Sequence, residues 1–346
     1  MNKIVNTLAL TALFAACTAD DTHLTISPEL QTAEKKVTVI PVADLSTYGI
    51  TAPARIAKQG SALAVGHLQA LHHVTLVDLS TRTVRPWLLL GDGPNEAYMV
   101  SNFDVNPQGE LSAFDCYTGK LHRHTSSPVS KTTLAPLSVD SVPLTHLSVV
   151  QGADFILSTG LYEQGRYRYH SLADSSVHYF IDYPTHPDYP NLSPKAAGKL
   201  WASTVLRLRP DQKAFVCADI RSGQIDICRL NGNTITLVRR HCYHYPHVDI
   251  QGENAEKGVA YYADNIHGFR DVAVSDERIY VLHSGRTYRD HRMGLAHCPR
   301  LLIFDWEGTL LATHALPQMT TYIAFDTEER ALYGTTPDAR LIRFHL

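Results

Sequence analysis

The sequence has little excess charge of either sign. Its 346 residues contain 31 Lys and Arg against 34 Asp and Glu, which gives a formal net charge of −3 at pH 7. Proteins that bind nucleic acids usually present a strongly basic face to the phosphates. This near-neutral balance therefore argues against nucleic acid as a partner.

Long hydrophobic runs are also scarce, and only the one at the N-terminus stands out. It extends from Ile4 to Ala16, follows Lys3, and is too short to cross a bilayer but typical of the core of a signal peptide. We predict a signal peptide over residues 1–16. No later run approaches the length of a membrane span, so the membrane contact that we predict is a lipid anchor only.

The predicted signal peptide ends directly before a cysteine. Ala15-Ala16 followed by Cys17 is typical of a bacterial lipobox, although Phe14 occupies a position where leucine is usual. We therefore predict that Cys17 carries the lipid, with ordinary secretory cleavage as the alternative. The pair Asp20-Asp21 resembles the acidic export signal of surface lipoproteins in the Bacteroidetes, and a plain polar linker is the other interpretation. The predicted location is the outer membrane, with exposure at the cell surface.

Five further cysteines remain, an odd number that cannot pair completely within the chain. Cys217 and Cys228 flank a predicted turn at Ser222-Gly223, and a two-residue turn would set them opposite each other within disulfide range. The interpretation that we favour is that both are buried thiols, which behave as small hydrophobic groups.

Helical periodicity is almost absent, with Leu192 to Trp201 as the one candidate helix. Residues 17–36 are polar and irregular, which predicts a tether. From there on, short runs rich in Val, Ile, Leu, Phe and Tyr recur in groups of four, separated by Gly, Asp, Asn or Ser turns. Groups of four strands at a period near 50 residues are typical of propeller blades.

Six such units fit the chain, and the last one has only three strands before Leu346. The run from Val37 to Pro41 has no other partner, so it can supply the missing strand and cover two sheet edges. The predicted fold over residues 37–346 is all-β: a six-bladed β-propeller with four-stranded antiparallel blades, its ring closed by the N-terminal strand.

The C-terminal region carries a family resemblance. Arg270–Val274, Arg278–Arg286 and Leu301–Gly308 resemble the TolB-like six-bladed propeller lipoproteins of Bacteroidales. Gly91–Glu96 is similar to the Gly-x-Gly-Pro-x-Glu turn between their first blades. The resemblance implies a propeller fold and a location in the cell envelope, and it implies no catalytic residues.

Three long insertions are predicted on one face of the ring: Tyr183–Leu200, Cys242–Gly268 and Ser284–Pro299. They fall between the second and third strands of a blade or between blades, and both kinds of connection lie at the same end of a propeller. Long structured loops in a compact domain are usually functional. We call this end the looped face and predict that it contacts a ligand or partner, with a simple cap over the channel as the alternative.

The predicted ligand-binding residues are arginines, a tyrosine and histidines of these insertions and their flanks. Arginine suits carboxylate or phosphate groups, and tyrosine stacks on rings. A solvated charged loop is the alternative interpretation. The predicted set is Arg270, Arg286, Tyr288, Arg289, His244 and His247.

The best candidate for a metal site is the group His241, His244, His247 and Asp249, because imidazole and carboxylate suit zinc or copper. Pro246 breaks any helix there, and a three-residue spacing on a strand sends neighbouring side chains to opposite faces. We therefore predict no metal and no cofactor.

Two functions of different classes follow from the sequence. The first is a non-enzymatic binding or scaffolding lipoprotein for a protein or glycan of the envelope. The alternative is a propeller hydrolase or lyase acting on glycans or peptides. Local catalytic motifs are missing, but propeller enzymes assemble their sites from separate blades, so the sequence does not decide the question.

Overall fold

The computed structural model describes residues 26–31, 35–67, 71–106, 109–124, 146–252, 255 and 258–346. Six sheets follow one another along the chain, and their innermost strands contact each other in a closed ring. The chain is therefore a six-bladed β-propeller, which confirms the predicted fold. The predicted signal peptide and Cys17 lie outside the described residues.

The blades are numbered along the chain, with strands given from the channel outward. Blade 1 contains Pro53–Gln59, Ala62–His67, His72–Asp78 and Thr83–Leu90, with Glu96–Ala97 at its outer edge. The described part of blade 2 contains Val100–Val105, Leu111–Asp115 and Lys120–His124. Blade 3 contains His146–Gln151, Phe155–Gly160, Tyr167–Ser171 and Val177–Phe180.

The second half of the ring follows the same plan. Blade 4 contains Thr204–Leu208, Ala214–Asp219, Gln224–Asn231 and Thr234–Cys242. Blade 5 contains Phe269–Val274, Ile279–His283, Cys298–Phe304 and Leu310–Thr320. Blade 6 contains Tyr322–Asp326, Ala331–Thr335, Arg340–His345 and Thr38–Asp44.

Burial explains why the strands differ in their sequence patterns. The second strands of blades 2 to 6, such as Ile279–His283, are buried along their whole length, because each lies between two neighbouring blades. They therefore appear as continuous apolar runs. The outermost strands, such as Thr234–Cys242, are partly exposed and mix polar with apolar residues.

The N-terminal strand closes the ring, as predicted. Thr38–Asp44 pairs antiparallel with Arg340–His345, with Val39 opposite Phe344. The two ends of the propeller are thus joined inside blade 6, and the outer edge of its third strand is covered.

Short elements outside the blades complete the fold. No helix in the described part of the chain is long and apolar enough to cross a membrane. These elements are the helices Pro28–Gln31, Pro194–Leu200 and Tyr288–His291, the 3-10 helices Leu45–Tyr48 and Arg292–Ala296, the hairpin Val248–Gln251 with Gly258–Tyr261, and the short strand Lys35–Lys36. The helix at Pro194–Leu200 lies within the candidate predicted from periodicity.

The predicted tether, residues 17–36, makes firm contacts in its described part. Leu30 is fully buried in the core shared by blades 4 and 5, and Ile26 packs against the same core. Lys35–Lys36 runs parallel to the outer strand of blade 5. Two apolar residues in a polar stretch leave no periodic signal, so the sequence did not predict this docking.

Cys217 and Cys228 are not opposite each other, which agrees with the interpretation that both are buried thiols. Cys217 lies opposite Asp226, and Cys228 lies opposite Phe215. The connection is longer than two residues because Asp219 accepts N–H bonds within it, from Arg221 at 2.8 Å and from the next residue at 3.0 Å. Both cysteines are buried free thiols.

Candidate functional site

The first two insertions pack together on the looped face. The first contributes the helix Pro194–Leu200, which Ser193 caps by accepting an N–H bond from Ala196. The second contributes the hairpin that begins at Val248. Leu200, Trp201 and Val248 form a small buried core between them, separate from the cores of the blades. The two insertions therefore form a packed layer with its own buried core, and they are not separate solvated loops.

The third insertion is joined to the second by polar contacts. One carboxylate oxygen of Asp264 lies 2.7 Å from His247 Nδ1, within hydrogen-bond distance. The other accepts a hydrogen bond from Arg289 Nη2 at 2.9 Å. Burial opposes the effect, but the hydrogen bond from His247 and the charge of Arg289 lower the pKa of Asp264. Ile266 and Thr287 add a β-bridge. All three insertions thus form one continuous layer.

A cavity of about 380 Å³ opens in this layer above blades 4 and 5. Its polar wall includes Arg221, His267, Arg270, Tyr288 and Arg292, and no Asp or Glu is among the described residues that line it. Its volume lies at the lower end of the range for small-molecule sites.

Gly268 lets the wall of the cavity approach blade 4 closely. A Cβ atom at this position would lie 1.5 Å from the carbonyl oxygen of Ser222, so no other residue fits. The Gly268 N–H donates a hydrogen bond to the Ile220 carbonyl at 2.9 Å, and the Gly268 carbonyl accepts one from the Ser284 N–H at 2.9 Å. These bonds fix the cavity between the turn of blade 4 and the third insertion.

Arg270 is the second residue of the inner strand of blade 5 and links the cavity to the channel. Its guanidinium lies 4.7 Å from the centre of the Tyr322 ring and donates from Nη2 to the hydroxyl of that tyrosine. Its Nε is buried and has no hydrogen-bond partner in the described residues. The structure therefore holds this cation in place without neutralising it.

His267 and Arg221 form the opposite wall. Arg221 Nη1 lies 3.3 Å from His267 Nε2, and because arginine can only donate, His267 must accept at Nε2 and carry its proton on Nδ1. Burial, with the charges of Arg221 and Arg270, lowers the pKa of His267 to about 4. This histidine is therefore neutral at pH 7 and adds no charge to the cavity.

The six predicted ligand-binding residues differ from one another in their position relative to the cavity. Arg270 and Tyr288 line the cavity. Arg286 lies beside it and donates to the Gly294 carbonyl at 3.3 Å and to a methionine sulfur. Arg289 and His247 are joined to each other through Asp264, as described above.

His244 is fully buried beneath the layer, 5.9 Å from the His283 ring. Burial, and then the neighbouring His267, lower the pKa of His244 to about 3. Neither of its ring nitrogens has a partner in the part of the chain that the structure describes.

Sequence reasoning missed Arg221 and His267. It placed Arg292 in the polar run from Arg286 to Arg292 on the looped face, but not among the predicted ligand-binding residues. Arg221 lies in a tight turn of blade 4, and nothing in its local sequence separates it from other surface arginines. Arg292 has a φ of +43°, in the left-handed region that favours glycine, so backbone strain is stored at the cavity wall. A positive φ at a non-glycine residue has no sequence signal.

The three histidines of the candidate metal site have different partners and environments in the structure. His241 Nε2 donates to the Gly308 carbonyl at 2.7 Å, His244 is buried, and His247 contacts Asp264. In the described ranges no group of three His, Cys, Asp or Glu side chains could hold a metal ion.

Beneath the cavity, a charged network crosses the channel. Arg207 on the inner strand of blade 4 contacts Asp271 of blade 5 and Asp104 of blade 2, both at 3.1 Å. It also donates to Asn102 at 3.2 Å, which accepts a second bond from Arg55 at 2.7 Å. Burial raises the pKa of Asp104, and Arg207 opposes that shift.

Comparison with known proteins agrees with this architecture. A family model described as TolB-like 6-blade propeller-like matches residues 31–328. Among solved structures, a gluconolactonase from Xanthomonas campestris is 14% identical with a TM-score of 0.53, covering 92% of this chain and 93% of its own. An auxiliary nutrient binding protein from Bacteroides thetaiotaomicron is 9% identical with a TM-score of 0.53, covering 86% and 69%. At such identities the likeness concerns the fold alone. No curated protein matches the sequence.

Proposed function

The chain belongs to the TolB-like six-bladed propeller family, and we propose that it is a lipid-anchored binding protein of the outer membrane. It holds a protein or glycan partner of the envelope on its looped face without chemical change, and it contacts the membrane through the lipid on Cys17. The observation that carries this proposal is the packing of all three insertions into one layer around an arginine-lined cavity.

The alternative, a hydrolase or lyase, needs either two carboxylates about 5 to 9 Å apart or a histidine paired with a nucleophile. The described lining of the cavity offers neither: it has no carboxylate, and its Ser284 hydroxyl donates to the Leu295 carbonyl at 2.7 Å. A close His–hydroxyl cluster of His146, Ser158 and Tyr162 is buried inside blade 3. Substrate has no described route to it, which favours binding over catalysis.

The path of the N-terminal segment supports an envelope partner near the membrane. Ile26 lies against Gly285 on the third insertion, and the Ser27 N–H donates to the Tyr243 carbonyl at 3.3 Å. The chain thus reaches the propeller on its looped side. Cys17 is nine residues upstream of Ile26, a length that spans at most about 30 Å. A lipid on Cys17 would keep the looped face close to the membrane.

The binding face is tested by photo-crosslinking in intact cells. A photoreactive residue at Tyr288, which is exposed on the looped face, should give a crosslinked adduct. The same residue at Arg82, in the turn after Asp78 on the opposite face of blade 1, should give none. Adducts at Arg82 alone would contradict the proposal.

The anchor is tested separately. Cys17→Ala should move the protein from the membrane fraction to the soluble fraction, or stall its processing, and abolish labelling with radioactive palmitate. A Cys17→Ala protein that stays membrane-bound and is processed normally would refute the lipid anchor while leaving the binding face untouched.

A further inference from the structure

The cavity on the looped face concentrates positive charge that the protein does not neutralise. Arg221, Arg270 and Arg292 all line it. Arg221 contacts the neutral His267 and the ring of Tyr261, and Arg270 contacts the ring and the hydroxyl of Tyr322. In the described ranges none of the three arginines forms an ion pair with a carboxylate, in contrast to Arg289 just outside the cavity.

The channel beneath the cavity holds a further arginine, Arg55. Arg55 donates to Asn102 at 2.7 Å and has no carboxylate partner in the part of the chain described. Burial, and then repulsion from Arg207, lower the pKa of Arg55 to about 10, so it still carries its charge at pH 7. The two carboxylates nearby, Asp104 and Asp271, are both engaged by Arg207. The two arginines and the two carboxylates of the channel balance in charge, so the uncompensated positive charge is that of the arginines lining the cavity.

Arg270 is the group best placed to bind an anion. Its contacts with Tyr322 hold the guanidinium in one orientation, so little side-chain entropy remains to be lost on binding. Its buried Nε lacks a partner in the described residues, and an unsatisfied buried donor is costly. A fixed, planar fork of N–H donors matches the two oxygens of a carboxylate.

The remaining wall of the cavity is apolar and aromatic. Met293 is 91% exposed and Tyr288 is 55% exposed, and both border the cavity together with Leu295 and Ile220. Large exposed side chains at the rim of a concave site are typical of ligand contact. Tyrosine offers a flat face on which a ring can stack. The ligand should therefore combine an anionic group with a compact ring.

We propose that this cavity binds the carboxylate of an acidic saccharide, such as a uronic acid residue of an envelope glycan. Arg270 receives the carboxylate, Arg221 and Arg292 contribute positive potential, and Tyr288 covers the sugar ring. The inference rests on the proposed binding function of the looped face and names the chemical class of its ligand.

Isothermal titration of the purified protein with four probes tests the assignment. We expect D-glucuronate to bind, and D-glucose, glucose 6-phosphate and acetate to bind at least about tenfold more weakly. Arg270→Ala should weaken glucuronate binding by about tenfold or more, because a charge-assisted hydrogen bond is lost. Arg270→Lys keeps the charge without the fork and should retain part of the affinity. Arg82→Ala, on the opposite face, is the matched control.

Arg292→Ala is a second test, because Arg292 is exposed and its removal should leave the fold intact. It should also weaken glucuronate binding, with an unchanged thermal midpoint. Equal binding of glucose and glucuronate, preference for glucose 6-phosphate, or equal losses in Arg82→Ala and Arg270→Ala would each overturn the inference. If no probe binds while the crosslink at Tyr288 persists, the acidic saccharide is refuted and the binding face stands.

Discussion

Removing the cation at the centre of the channel should destabilise the whole ring. Arg207 is buried, and its guanidinium joins the inner strands of blades 2, 4 and 5 through Asp104, Asp271 and Asn102. Asp271 is completely buried and also accepts the Ile323 N–H at 3.0 Å. In Arg207→Met these carboxylates lose their counter-ion inside the protein. Breaking a buried ion pair in this way costs about 3 to 5 kcal/mol.

Urea denaturation, read as the free energy of unfolding, measures this loss. The control is Arg229→Met, because Arg229 pairs with Glu307 at 2.9 Å with both side chains more than half exposed. Exposed pairs contribute about 0.2 to 1 kcal/mol. Adding Asp271→Asn to Arg207→Met should recover part of the stability, since the amide oxygen can still accept the N–H bond without a buried charge.

The pH dependence of Arg207→Met provides an independent check. Burial already raises the pKa of Asp104, and losing Arg207 removes a cation that lowers it. A carboxyl group whose pKa is raised by folding favours the folded state below its unfolded pKa, and that stabilisation is lost as pH rises through the folded pKa. The deficit relative to wild type should thus be smallest in acid and grow toward neutral pH. The reasoning fails if Arg207→Met loses no more stability than Arg229→Met.

Two further predictions concern stability. Leu30→Ala should lower the free energy of unfolding by about 2 to 5 kcal/mol, because it leaves a cavity at a fully buried site in the core of blades 4 and 5. Glu29→Ala, at the neighbouring position, should change the free energy of unfolding little. Equal effects of the two substitutions in urea denaturation would refute the docking of this segment. Burial raises the pKa of Asp219 to about 6, so the wild type should lose stability as pH rises from about 4 to 6. Asp219→Asn keeps the acceptor for the turn and should remove that slope, and an unchanged slope across this range would contradict the assignment.

The repeat of four apolar runs was sufficient to predict the blades, their order and the closing strand. Strand formation depends on the local pattern of side chains, and each blade of the ring repeats the same four-strand pattern. The strand Thr38–Asp44 could be identified because its partner, Arg340–His345, is left with an open edge that must be covered. The placement of the three insertions on the looped face could also be predicted from the sequence, because connectivity alone assigns each insertion to one end of the propeller.

The sequence by itself thus determined the fold and the face, and only the tertiary structure decided which side chains meet there. Arg221 comes from a turn of blade 4, His267 from the second insertion and Arg292 from the third. Their meeting depends on how the insertions pack across long sequence separations, which no local pattern encodes. The same reason applies to Leu30: a single apolar residue acquires its role only from the core that folds around it.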